Sequence, residues 1–246
     1  MLKEFKADLH IHTCLSPCGD LKMSPKAIVE EAEKKGLDII GVCDHNSAEN
    51  IKVAIKVASG TKVNILAGME VTSAEEAHLV ALFDGPEQAL ELQDIVYANL
   101  LPGENDESIF GYQVVVNELD EVEDLNKRLL IGATTLTLDK SVEIIHSLGG
   151  LAIASHIDKE SFSIIGQLGV IPEGLELDAL EISPHMNREE AKTKFSQYSD
   201  YPLISSSDAH FLEDIGKKST VFLLKEAKIG EIRKAFGNVE GRRILS

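Results

Sequence analysis

A chain of 246 residues, 43% hydrophobic and 26% charged, can bury one large core and reads as a single α/β domain rather than two small ones. The formal net charge of −17 argues against a broad basic face for nonspecific binding along duplex DNA, because that mode works by neutralising phosphates. It leaves room for a small phosphorylated substrate, since bound divalent metals reverse the local charge.

The three cysteines, Cys14, Cys18 and Cys43, do not read as a disulfide framework. The opening MLKEFKADLHIHT lacks the apolar stretch of a signal peptide, and no apolar run approaches the roughly 20 residues of a membrane span. A cytoplasmic protein with no membrane partner is the expectation.

Phe5 to His12 predicts a strand. A helix follows, with Ser24 as its cap, Pro25 at its first position and Gly36 just past its end. Ile28, Val29 and Ala32 recur within it at helical spacing. Leu37 to Cys43 is a continuous apolar run, as in a strand buried on both faces. Ser47 is the expected cap of a helix running to about Ala58. Val63–Val71 and His78–Phe83 predict strands, and Pro86–Leu100 a helix. Residues 139–148 predict another helix, ending at Gly149 and Gly150. Short strands are expected at Leu151–Ser155, Ala179–Ile182, Leu203–Ser205 and Val221–Leu224, then a helix at Ile229–Phe236. The stretch 101–138 is polar and acidic up to about Leu129, with a strand or helix at Tyr112–Asn117, and is expected to be an insertion at the ligand face. Strand–helix alternation implies a mostly parallel sheet that can close into a barrel.

Chemistry-bearing residues fall at strand ends. His10 and His12 stand two apart, so both can aim at one metal. Asp44-His45-Asn46 follows the next strand, Gly68-Met69-Glu70 falls at the end of the third, and His78 opens a fourth. Ser155-His156 closes a fifth, and Asp208-Ala209-His210 follows Leu203–Ser205. Six of the eight histidines lie at such places, where a barrel brings distant segments together. So many imidazole and carboxylate donors exceed the needs of one tetrahedral zinc, and two or three divalent metals are implied.

The motifs HIHT, DHN, GME, AH, ASH and DAH, in this order from Asp8 to His210, resemble the PHP (polymerase and histidinol phosphatase) superfamily. The resemblance implies a distorted (β/α)7 TIM-like barrel and a cluster of zinc, manganese or iron. Carried over position by position, it implies His10, His12, His45, Glu70, His78, His156, Asp208 and His210 as ligands. Glu70 would be the bridge, because a carboxylate has two oxygens to share. A ninth ligand falls to Asp20, eight residues beyond His12 in a loop longer than the family's pattern. The implied activity is hydrolysis of a phosphoester in a small phosphorylated metabolite, a nucleotide or a short oligonucleotide, by water that the metals activate. Long duplex DNA is not expected. A nearby imidazole could protonate the leaving alkoxide. Lys159 and Arg188 are candidates to hold the phosphate.

Blander roles suit other residues. His146 near a helix end complements the dipole. Cys14 and Cys18 read as packing or bystander thiols. Asp44 is placed to orient a neighbour without touching metal. Two rival functions remain. An amidohydrolase also uses an H-x-H strand, but it typically needs a modified lysine at a strand end, and none is convincing here. A non-catalytic, metal-stabilised binding module would not need so nearly complete a ligand set.

Overall fold

The computed structural model describes residues 1–246. Its main strands are β1 (Lys3–Ile11), β2 (Ile39–Val42), β3 (Asn64–Thr72) and β4 (His78–Phe83). A hairpin of β5 (Val114–Val116) and β6 (Val122–Leu125) stands apart from the main sheet. Then come β7 (Leu151–Ala154), β8 (Ala179–Ile182), β9 (Leu203–Ser205), β10 (Thr220–Leu224) and β11 (Arg243–Ile244).

β1, β2 and β3 pair in parallel, and so do β7, β8 and β9. β4 runs antiparallel to both β3 and β7, so one strand of the barrel is reversed. The curl brings β1 to the segment after β9. Ile11 bridges Ala209 in parallel, and the His12 N–H donates to the Ala209 carbonyl at 3.0 Å. The rest of the seam is filled by β10, antiparallel to Lys3–Ala7. Its Thr220 hydroxyl donates to the Ser205 carbonyl at 2.9 Å and accepts from the Ser205 N–H at 2.8 Å. The seven strands thus form the distorted TIM-like barrel that the motif order implies.

Alternate strand residues face two cores. The inner core takes Phe5, Ala7, Leu9, Ile39, Leu66, Val80, Leu82, Ile153, Ala179 and Ile204. Helix α8 (Ile229–Phe236) adds Ile229, Ile232 and Ala235 to it. The α8 N-terminus is tied to Asp84, just past the end of the reversed β4, so α8 closes the end of the barrel away from the histidines. The outer core lies between the sheet and helices α1 (Pro25–Lys34), α2 (Ile51–Ala58), α3 (Pro86–Asn99) and, after the short α4 (Glu107–Phe110), α5 (Leu138–Ser147). Phe83 is 1% exposed within it, a burial that contributes about 2–3 kcal/mol. Short helices α6 (Ile164–Leu168) and α7 (Arg188–Lys194) follow β7 and β8. No helix is long and apolar enough to cross a membrane.

The first helix keeps its expected bounds: Ser24 Oγ accepts from the Ala27 N–H, and Gly36 has φ +66°. The second does not begin at Ser47. That hydroxyl is taken by Tyr97 at 2.7 Å and Gln93 at 3.3 Å, and the helix starts at Ile51. Residues 101–138 lie over the histidine end. Asn46 Nδ2 donates to the carbonyls of Leu130 and Gly132, and Asn50 Nδ2 donates to that of Val114.

Candidate metal centre

The reversal of β4 explains why His78 opens a strand while the other candidates close theirs: all then emerge at one end of the barrel. Gly68 lets β3 fit there. A Cβ on it would stand 2.5 Å from Cys43 Sγ and 2.9 Å from the Ala81 and Val42 carbonyl oxygens. That explains the glycine of Gly68-Met69-Glu70.

Glu70, 1% exposed, sits at the centre of five imidazoles. Its Oε2 is 3.1 Å from His45 Nδ1 and 3.4 Å from the Nε2 atoms of His10 and His12. Its Oε1 is 3.0 Å from His78 Nδ1 and 3.3 Å from His156 Nε2. Asp208 Oδ1 lies 3.3 Å from His12 Nε2 and 3.6 Å from His10 Nε2. His210 stacks on His12, with centroids 4.2 Å apart.

Neighbouring bonds fix the ring protons. His10 Nδ1 donates to Glu181 at 2.9 Å, and His210 Nδ1 to the Asp208 carbonyl at 2.8 Å. Ser16 Oγ donates to Asp44 at 2.7 Å, so it accepts from His12 Nδ1 at 3.0 Å. Nε2 of His12 and His210 is thereby left with a lone pair, and that of His10 has one as well when its ring is neutral. The Nε2 atoms of His10 and His12 face each other at 3.1 Å. With Glu70 and Asp208 they crowd buried nitrogen and oxygen ligand atoms into one small volume. His45 Nδ1, His78 Nδ1 and Glu70 Oε1 are buried without a hydrogen-bond partner. Such a cluster is unfavourable unless a cation enters it. Two donors each about 2.1 Å from one tetrahedral ion stand about 3.4 Å apart, the spacing seen here. Three groups could each hold an ion: His10, His12 and Asp208; His45, Glu70 and His78; and His12, His45 and His210.

Protonation fits. Burial, with His210 nearby, lowers the His12 pKa to about 3, and burial lowers His45 well below its ordinary value. Both are neutral, as metal binding requires. Burial works against the Glu70 anion, but His78, His10 and His45 outweigh it and hold its pKa well below the carboxylate range. Burial also opposes charge on His10, yet Glu181, Glu70 and Asp208 raise its pKa well above normal. The same three carboxylates are the pull that a divalent cation would answer. Backbone strain gathers here too. Asn46 (φ +49°), His156 (φ +30°) and Asp208 (φ +50°) are left-handed, at about 1–3 kcal/mol each.

A cleft of about 450 Å³ opens onto the cluster, lined by His45, Glu70, His78, His156, Asp208 and His210. Lys159 lines it as well, with Nζ 2.5 Å from Asp208 Oδ2. Asp20 and Arg188 are not brought to the cluster. The Asp20 carboxylate turns back to the Lys22 N–H at 2.8 Å, because the longer loop closes on itself; only its backbone reaches in, to the His210 carbonyl. Arg188 lines a separate cavity with Phe195, Tyr198 and Tyr201, because the chain between β8 and α7 carries it away. Glu181 is the residue missed: a fully buried acid in the apolar strand Ala179–Ile182, which was itself the signal. Asp44 orients indirectly, holding Thr13 and Ser16, and Ser16 holds His12.

A curled, barrel-like α/β sheet with one polyhistidine–carboxylate cluster at a single end defines a class of metal-binding barrel protein. The chain belongs to the PHP domain family, whose match spans residues 8–201; a PHP-associated region matches residues 187–238. It is 26% identical over 264 residues to the uncharacterized protein YqxK of Bacillus subtilis, covering all of this chain and 65% of that one. It is 24% identical over 190 residues to a 5'-3' exoribonuclease of Haemophilus influenzae, covering 61% of this chain and 68% of the relative. The structure superposes on the lesion-specific endonuclease PfuEndoQ of Pyrococcus furiosus with a TM-score of 0.76 at 21% identity, covering 99% of this chain and 58% of that one. Endonuclease Q in complex with a 27-mer duplex carrying an abasic lesion gives 0.77 at 22%, covering 99% and 59%. The chain thus spans less than two thirds of the Bacillus and Endonuclease Q relatives.

Proposed function

We propose that the protein is a metal-dependent phosphoesterase, acting on the phosphoester of a nucleotide or on the phosphodiester of a short or single-stranded oligonucleotide. The observation that carries this is Glu70, with both oxygens within 3.0–3.4 Å of five imidazole nitrogens. His10, His12, His45, Glu70, His78, His156, Asp208 and His210 would hold two or three divalent ions, and the imidazole-rich set suits zinc, iron or manganese. Such ions activate water near neutral pH and neutralise charge on a phosphoryl group. The chain's own part is orientation and charge. Glu181 and Ser16 aim the rings of His10 and His12. Lys159 offers its ammonium to phosphoryl oxygens at the mouth of the cleft.

Relatives that include an exoribonuclease and an endonuclease favour a nucleic-acid phosphodiester over a sugar phosphate. The net charge of −17 favours a short or single strand. The duplex-bound relative is the observation for a second reading, a duplex substrate. The test is metal content by elemental analysis, with hydrolysis of bis(p-nitrophenyl) phosphate and of one labelled oligonucleotide, single-stranded and annealed. Bound metal with faster cleavage of the single strand supports the first reading. Faster cleavage of the duplex supports the second. Bound metal with no phosphoester cleaved overturns both.

A further inference from the structure

The cleft is polar except at Cys18, Ile131 and Phe162. Phe162 is the unusual one. Its φ is +58°, a backbone conformation that bulky side chains rarely adopt. The residue is 40% exposed, yet its ring stacks on His78 with centroids 4.9 Å apart and planes 15° from parallel. An apolar ring left half in water forgoes much of the gain from burial. Strain and exposure together mark a side chain held out for a partner.

The loop that carries it is pinned. The His78 N–H donates to the Phe162 carbonyl at 2.8 Å. Ser163 Oγ donates to the Lys159 carbonyl at 2.6 Å and accepts from the Gly166 N–H at 2.9 Å. Within one short stretch the loop presents His156 against Glu70, Lys159 against Asp208, and the flat ring of Phe162. A cation and a ring on one rigid loop match a ligand with a phosphate and a planar apolar group a few ångströms apart. A bare sugar phosphate would leave the ring idle.

We propose that Phe162 is a stacking platform for a nucleobase, which lies on the ring while the attached phosphate lies toward Lys159. This rests on the phosphoesterase reading and adds the base as a recognised part of the substrate. Aromatic rings hold bases of any sequence through their π faces, so the platform selects for the presence of a base rather than for its identity.

The chain contains no tryptophan, so Phe162→Trp would place a lone indole on the platform. In the metal-loaded variant, adenosine monophosphate quenches its fluorescence saturably and ribose 5-phosphate does not. Phe162→Leu keeps an apolar side chain but removes the flat face. It lowers kcat/KM for thymidine 5'-(p-nitrophenyl phosphate) about tenfold or more, mostly through KM. Methyl p-nitrophenyl phosphate, with the same leaving group and no base, changes less than about twofold on the same reasoning. Equal losses on the two esters, or an indole that does not distinguish the nucleotide from the sugar phosphate, would overturn the platform. Quenching by the nucleotide with neither ester hydrolysed would support the platform and sink the phosphoesterase reading instead.

Discussion

Replacing Glu181 with Gln tests the support beneath the cluster without touching a proposed ligand. Glu181 accepts from His10 Nδ1 at 2.9 Å, and both side chains are essentially fully buried. A hydrogen bond to a charged group in such a place is worth about 1.5–3 kcal/mol. Gln keeps the shape and an accepting oxygen, so the bond survives at roughly half strength. The loss is then about 0.8–1.5 kcal/mol, or about four- to tenfold in metal affinity, at or below the low end of the 10–100-fold typical for such outer partners. Glu181→Ala frees the ring and should approach a hundredfold. The assay is competition for zinc against a chromogenic chelator, with melting of the metal-free proteins as a folding check. An E181Q protein that folds and holds zinc as tightly as the parent would mean that the Glu181 charge does not support the His10 ring.

Lys159→Met should raise KM for the diester about tenfold with little change in kcat, since a ground-state phosphate contact is lost; the same change at Arg188, far from the cleft, should leave KM alone. Asp20→Ala should retain the parent's metal stoichiometry, because the carboxylate serves its own turn; loss of one metal equivalent would return Asp20 to the ligand set. Chelation should lower Tm, since metals that bind only the folded state stabilise it by mass action; an unchanged Tm would mean that no metal was bound. Metal-free protein should be most stable near pH 6.5, the ordinary histidine pKa. Below it, His12, lowered to about 3, stays neutral in the fold while the unfolded chain binds the proton, so stability falls. Above it, the raised His10 loses the proton that its carboxylates favour, and stability falls again. Melting that rises steadily from pH 5 to 9 would contradict this.

The alternation of strands and helices was legible because apolar runs and helix punctuation are local signals. Ala179–Ile182, Leu203–Ser205 and Ile229–Phe236 have the bounds read from sequence. The reversal of β4 was not legible. Its apolar pattern is the same in either direction, and only pairing with β3 and β7 decides it. The motifs converge as their order implied, around Glu70. Asp20 and Arg188 fall away because proximity in sequence or suitability of charge says nothing about where a loop turns. Ser47 looked like a cap because a hydroxyl before an apolar run usually is one; here Tyr97 and Gln93 compete for it. Glu181 was hidden as an ordinary charge, though a carboxylate inside Ala179–Ile182 is costly to bury without a partner.

The central claim is that Glu70 sits between metal ions. Anomalous scattering from crystals of the metal-loaded protein measures this directly. At least two peaks about 3.5–4 Å apart are expected on either side of the Glu70 carboxylate, each within bonding distance of one of its oxygens. A single ion away from Glu70, or no ion at this end of the barrel in protein that cleaves a phosphodiester, would contradict the claim.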